Sequence, residues 1–242
     1  MQQLMACGLA AAIAGIASAD IVTQWNFNGA STSTVPGGPT NPTTSVGLGT
    51  ASLIGGTTAT FASGAASGGS SDPETTAPPN YAWNVTTFGA QGTGSGERGV
   101  QFNVSTAGFF DIMVSWDQRH SNTASRWVQF QYSLDGTTFL TAGLADDGIF
   151  DSTNGGDVWY NGRMVNLSGI AGVADNANFA FRIVAIFAPG TEGYVATNPT
   201  STWSGSGTWR FDMVTVAGVV PAPGAVAVLG LAGLVGVGRR RR

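Results

Sequence analysis

The residues of this chain that could do chemistry are acids, amides and indoles, with a single histidine among them. That histidine, His120, sits in Asp117-Gln118-Arg119-His120-Ser121-Asn122. Asp, His and Ser occur there together. A nucleophilic triad, however, needs a serine held by a base that a third group orients, beside an oxyanion hole. No G-x-S-x-G elbow accompanies them, so the stretch reads as a polar loop between two strands. Zinc is disfavoured, because one histidine and the single cysteine, Cys7, cannot supply its usual N/S ligands. Calcium takes about six to eight oxygens, and two sets of residues could supply them. Asn26, Asn28 and Asp212 converge on one edge if the first and last strands lie side by side. Asp146, Asp147, Asp151 and Asp157 form a second acidic, Gly-containing stretch, with a spacing unlike an EF-hand. No cofactor is required by any of these readings; structural calcium is the one ion they leave room for. Polysaccharide hydrolysis would need two carboxylates at a set separation across a cleft, and no pair stands out.

A third group suggests a ligand face. Period-2 alternation over residues 109–117 turns Phe110, Ile112, Val114 and Trp116 inward and Asp111, Ser115 and Asp117 outward. Over residues 125–133 it turns Val128, Phe130 and Tyr132 inward and Trp127, Gln129 and Gln131 outward. Asp117, Trp127, Gln129 and Gln131, joined by Trp159 from a loop, would offer what sugars need: a ring for the apolar sugar face and polar groups for the hydroxyls. The competing reading packs these aromatics beneath loops, since seven tryptophans in one domain must mostly be buried.

The elements that position these groups are strands. Further alternating runs cover residues 81–88, 99–105, 178–187 and 207–216, punctuated by Thr106-Ala107-Gly108, Leu134-Asp135-Gly136 and Asp175-Asn176. Residues 29–80 are rich in Gly, Ser, Thr and Pro and read as loose β-structure with long loops, including short strands at 50–54 and 58–62. No segment between the two ends carries a 3.6-residue stripe. The expectation is an all-β domain over residues 20–219: an antiparallel β-sandwich of about nine strands, jelly-roll in type.

Charge limits the partners. There is no lysine, and apart from the last four residues six arginines face fourteen acids, a net charge of about −8. Such a domain repels phosphate backbones, which argues against nucleic acid.

The two ends carry addresses. Residues 4–17 are apolar, and Ala17 and Ala19 of Ala17-Ser18-Ala19 provide the small residues a signal peptidase reads, so cleavage is expected before Asp20. At the other end, Val220-Pro221-Ala222-Pro223 leads into an apolar run closed by Arg239-Arg240-Arg241-Arg242. As a helix, residues 221–238 would span roughly 27 Å, enough to cross a bilayer core with the arginines held on the cytoplasmic side.

This tail resembles the PEP-CTERM sorting signal of bacterial exosortase substrates, with Pro221-Ala222-Pro223 in place of the family's Pro-Glu-Pro. The resemblance covers about the last two dozen residues. It implies export, transient anchoring in the inner membrane, processing by an exosortase-like enzyme, and a final place at the cell surface or in an exopolysaccharide matrix. The middle of the chain faintly resembles carbohydrate-binding jelly rolls, through Trp25-Asn26-Phe27-Asn28, Tyr132-Ser133-Leu134-Asp135-Gly136 and the closing Trp209-Arg210-Phe211-Asp212-Met213-Val214. The function expected first is structural or adhesive and non-catalytic. A carbohydrate-binding module for exopolysaccharide comes second, and a polysaccharide-active hydrolase third.

Overall fold

The computed structural model describes residues 18–74, 80–153 and 155–221. Twelve strands in two antiparallel sheets make up these residues, with one short 3-10 turn, Ala145–Gly148, and no α-helix among them. The first sheet holds β1 (Ala19–Trp25), β2 (Val46–Gly47), β4 (Thr58–Ser63), β5 (Tyr81–Thr86), β7 (Phe110–His120), β10 (Val158–Asn166) and β12 (Trp209–Val219). The second runs β3 (Thr50–Ile54), β6 (Gly99–Asn103), β11 (Ala180–Ala185), β8 (Trp127–Ser133) and β9 (Ile149–Asp151), in that spatial order.

Alternating hydrophobicity makes the two inner faces. Trp25, Trp83, Trp116 and Trp209 come from the first sheet and Phe102, Phe130 and Phe181 from the second, all fully buried. Their rings meet between the sheets: Trp25 lies 4.9 Å from Phe102, Trp116 lies 5.8 Å from Phe130, and Phe181 stacks on both Phe102 and Phe130. Burial of this much aromatic surface is the main force holding one sheet on the other.

The first sheet branches at β12. One side of that strand pairs with β7 along its length. Its other side pairs with β5 through Trp209–Phe211 and with β1 from Val214 onward. The change-over falls at a bulge, where the register against β7 slips between Asp212 and Thr215 and Met213 takes a left-handed φ of 47°. A second bulge lies beside it on β10, between Tyr160 and Arg163, with Gly162 at φ 67°.

Three expectations are corrected. Phe110 was expected inward and is 42 % exposed. The register of β7 against β12 slips between Phe110 and Met113, with Asp111 at φ 50°, and an extra residue in a strand reverses the faces beyond it. Trp159, expected in a loop, belongs to β10. The strand count exceeds nine because short edge strands such as β2 and β9 carry too few residues to show alternation. The expected signal segment, apart from Ser18 and Ala19, and the expected membrane span, apart from Pro221, lie outside the described residues, as does the arginine cluster. No helix among the described residues is long and apolar enough to cross a membrane. Ala19 opens β1, opposite Val219, and Val220 and Pro221 follow directly on β12.

Candidate functional site

The outer face of the second sheet gathers amides. Outward positions on neighbouring strands are in register: Ser52 faces Gln101, Gln101 faces Arg182, and Arg182 faces Gln131. Their side chains bond along and across the strands. Asn103 Nδ2 donates to Thr50 Oγ1 at 3.1 Å, and Gln101 Nε2 donates to Asn103 Oδ1 at 3.1 Å. Arg182 Nε donates to Gln131 Oε1, Gln131 Nε2 donates to Gln129 Oε1 at 2.7 Å, and Gln129 Nε2 donates to the Asp147 carbonyl at 3.2 Å. Rings flank this array. The Arg182 guanidinium lies 4.3 Å from the Phe139 ring centroid, and the Arg126 guanidinium lies 5.3 Å from that of Trp127. Arg126 is held by both oxygens of Asp151, at 2.5 and 2.7 Å. Burial lowers the Arg182 pKa, and nearby Glu97 opposes that shift. Gln101, Asn103, Trp127, Gln129, Gln131 and Arg182 are all half-buried, so the array is solvent-accessible without being loose.

Thus Trp127, Gln129 and Gln131 share one face, and Asp117 and Trp159 lie elsewhere, on the first sheet. Both are covered by residues 64–74, which cross the outer faces of β10, β7 and β12. Trp159 Nε1 donates to the Ala66 carbonyl at 2.8 Å, Asn161 Nδ2 to the Gly69 carbonyl at 3.0 Å, and Ser71 N and Oγ to Asp117 Oδ2 at 2.5 and 2.6 Å. Asp117 is 1 % exposed and cannot face a sugar. Sequence reasoning missed Gln101, Asn103 and Arg182. The signal was present, since they are the polar half of the alternation on β6 and β11, and only strand order joins them to Gln129 and Gln131.

The acids expected to hold calcium divide. Asp146 and Asp147 are exposed in the 3-10 turn with left-handed backbone. Asp151 pairs with Arg126, and Asp157 with Arg119 and Asn122, so two of the four acids of this second set are taken up by arginines, and among the described residues no group of acids is gathered to hold a metal. Asn26 Oδ1 accepts from Asn28 N at 3.4 Å. Asn28 and Asp212 do come into one neighbourhood, with residues the sequence did not suggest. Asn28 Nδ2 donates to Asp72 Oδ2 at 2.9 Å, and Ser70 Oγ donates to Asp212 Oδ2 at 2.6 Å. The bulges feed the same place: Gly162 N donates to Asp117 Oδ1 at 2.7 Å and Met213 N to Asp212 Oδ1 at 2.8 Å. Burial, reinforced by the charges of Asp72 and Asp117, raises the Asp212 pKa well above the usual carboxylate range.

His120 ends β7 on the inner face. Its Nδ1 lies 2.9 Å from the Ser125 carbonyl, which can only accept, so Nδ1 carries the proton and Nε2 accepts from Ser152 Oγ at 3.2 Å. Ser152 accepts from Arg163 Nη2 at 2.6 Å, and Arg163 Nη1 donates to Gln118 Oε1 at 2.8 Å. The Ser–His pair has the contact of a nucleophile and base. Both residues are fully buried, and a backbone carbonyl stands where a carboxylate would orient the ring. No substrate reaches it, and its effect is to satisfy polar groups inside the sandwich. Burial, then the Arg163 charge, lowers the His120 pKa well below 6.5.

No family model matches the chain, and no curated protein matches it. Among solved structures, the N-terminal CBM22-1–CBM22-2 tandem domain of Xyn10C from Paenibacillus barcinonensis aligns at 10 % identity over 87 % of this chain, with a TM-score of 0.44. The aligned region is 48 % of that chain, so this protein spans about half the length of the structure it matches.

Proposed function

We propose that this chain is an exported glycan-binding β-sandwich that takes a polysaccharide strand along the outer face of its second sheet. The observation that carries the reading is the amide and guanidinium array from Thr50 to Gln129, flanked by Phe139 and Trp127. Side-chain amides present donors and acceptors side by side, which matches the repeating hydroxyls of a sugar chain. Here they are pre-bonded to one another, so little ordering is lost on binding. Pairing of the opening strand Ala19–Trp25 with the closing strand Trp209–Val219 supports a jelly-roll type of sandwich.

Trp127→Ala and Gln131→Ala are each expected to weaken binding to an exopolysaccharide about tenfold, the loss of a ring or of a hydrogen-bonding pair. Calorimetric titration measures this, with thermal melting to show that the fold is kept. A broad glycan array that stays blank with the wild-type chain overturns the reading.

The ends supply the setting. The signal-like N-terminus and the Val220-Pro221-Ala222-Pro223 tail with its terminal Arg239–Arg242 support export, transient anchoring in the inner membrane and release by a sorting protease of the exosortase kind. A binding rather than catalytic role in the extracellular matrix follows from the face and the address together. Mass spectrometry of protein recovered from the cell surface is expected to lack the peptide ending in Arg242. Recovery of that peptide from mature material overturns the release step.

A further inference from the structure

The buried Ser152–His120 pair is closed to outside substrates, but an electrophile stands beside it. Trp116, Gln118 and His120 share the inner face of β7 and are fully buried. Ser152 follows β9 of the other sheet and is fully buried as well. Arg163, from β10, joins the two sides. Its Nη2 donates to Ser152 Oγ at 2.6 Å and its Nη1 to Gln118 Oε1 at 2.8 Å. Neighbouring nitrogens of one planar guanidinium thus hold a hydroxyl and a carboxamide next to each other.

Each part of this cluster has the bonding that acyl transfer needs. Ser152 Oγ meets the unprotonated nitrogen of His120 at 3.2 Å, a base for its proton. Gln118 Oε1 accepts from two donors, Arg163 Nη1 and Trp116 Nε1, and both can stay on that oxygen as it becomes an oxyanion. Burial lowers the Arg163 pKa only to about 10, so the guanidinium keeps its charge at neutral pH. The leaving nitrogen is unencumbered, because Gln118 Nε2 is buried without a hydrogen-bond partner among the described residues. A buried amide with a purely structural role is expected to satisfy both its ends. This one is bonded only through its carbonyl.

We propose that Ser152 and Gln118 become joined by an ester bond that the protein forms on itself. Ser152 Oγ adds to Gln118 Cδ while His120 Nε2 takes the hydroxyl proton. Negative charge develops on Gln118 Oε1, between Trp116 and Arg163. His120 then passes the proton to Gln118 Nε2, the C–N bond breaks, and ammonia leaves. The burial and the Arg163 charge that disfavour a protonated His120 make it give that proton up readily. One C–O bond replaces one C–N bond, and nothing is oxidised or reduced. Escape of ammonia draws the reaction forward, and the buried position of both residues keeps hydrolytic water from the ester. The product ties β7 of the first sheet to the residue after β9 of the second, on the side of the sandwich where β9 and β10 are edge strands. Residues 20–219 contain no cysteine, so this bond would stand in for a disulfide as a covalent closure of the domain. It lies inside the sandwich and is independent of the glycan face.

The test is mass spectrometry of the full chain, without glycan, denatured and digested with trypsin after prolonged incubation of the folded protein at about pH 8, where His120 is neutral. Trypsin cuts after arginine, so residues 99–119 should appear joined to residues 127–163, lighter by one ammonia, with fragment ions placing the joint at Gln118 and Ser152. The joint is decisive, since an Asn-Gly pair such as Asn28-Gly29 also loses ammonia when it cyclises but joins no peptides. Dilute alkali, which hydrolyses esters before amides, should separate the two peptides. Ser152→Ala removes the nucleophile and should lose the joint completely. Where that variant fails to fold, the wild-type digest still decides. Separate peptides from the incubated wild-type chain overturn the proposal, and so does a joint that resists alkali, lies at other residues or persists in Ser152→Ala.

Discussion

Phe181→Ala is expected to cost about 3–5 kcal/mol of folding stability, the range for removing a buried aromatic ring and leaving its cavity. Phe181 lies on the inner face of β11, with ring centroids of Phe102, Phe130 and Phe179 at 4.9, 5.5 and 6.2 Å. Phe102 passes the contact on to Trp25 and Trp83, and Phe130 to Trp116, all on the opposite sheet. Removing Phe181 thus loosens both routes by which one sheet grips the other. Neighbouring rings are held by their own strands and can close the gap only in part. At about 2–4 °C per kcal/mol for a domain of this size, Tm should fall by roughly 10 °C. Phe110→Ala provides the contrast. That ring is 42 % exposed at a strand end, and its loss should fall within about 1 kcal/mol of neutral. Urea unfolding compares the two variants. Similar losses from both would contradict a core centred on Phe181.

The reach of sequence reasoning depended on the kind of signal each element carries. Residues 99–105, 125–133 and 178–187 are period-2 runs with one apolar half, and they form β6, β8 and β11 with Phe102, Phe130 and Phe181 inside. All three belong to the second sheet, where the hydrogen-bonded registers run without a slip. The first sheet is bulged on β7, β10 and β12, and there the simple alternation misled. Asp117 follows its strand's parity onto the outer face as expected, yet it is buried. What the pattern could not show is that residues 64–74 return across that face. That cover rests on hydrogen bonds from Trp159, Asn161, Ser70 and Ser71, and contacts between residues some 45 to 140 positions apart leave no local periodicity.

The same reasoning explains what was legible of the sites. Trp127, Gln129 and Gln131 share a face because they share a strand, which spacing alone states. Gln101 and Arg182 join them through strand order, β6 beside β11 beside β8, and order is a tertiary fact. Asn28 and Asp212 were grouped by the expectation that first and last strands pair, and β1 does pair with β12. Asp72 comes from a Gly- and Ser-rich segment read as loose β-structure with long loops, where no local pattern says which residues meet.

The polar network inside the sandwich should show a strong dependence on Gln118. Gln118→Leu is expected to cost about 3 kcal/mol or more, because two donors lose their acceptor at once: Arg163 Nη1 at 2.8 Å and Trp116 Nε1 at 3.2 Å. Arg163 is 8 % exposed, and burial holds its pKa down to about 10, so its charge has no recourse to water. Combining Gln118→Leu with Arg163→Met should recover part of the loss. The buried charge is then gone, and an unbranched apolar side chain remains over the Phe150 and Tyr160 rings that Arg163 covers. The double variant should also change the response to acid. His120 is kept neutral by burial and by the Arg163 charge, so its folded pKa lies below its unfolded value of about 6.5. A depressed histidine leaves stability complete above that value and drains it as pH falls, since only the unfolded chain takes up the proton. Without the Arg163 charge the folded pKa rises part of the way back, and the fall in stability below pH 6.5 becomes shallower. Urea unfolding of the four chains of this cycle between pH 8 and pH 5 measures both effects. A double variant no more stable than Gln118→Leu, with an unchanged pH slope, would mean that Arg163 draws its stability from a partner other than Gln118 and has no hold on His120.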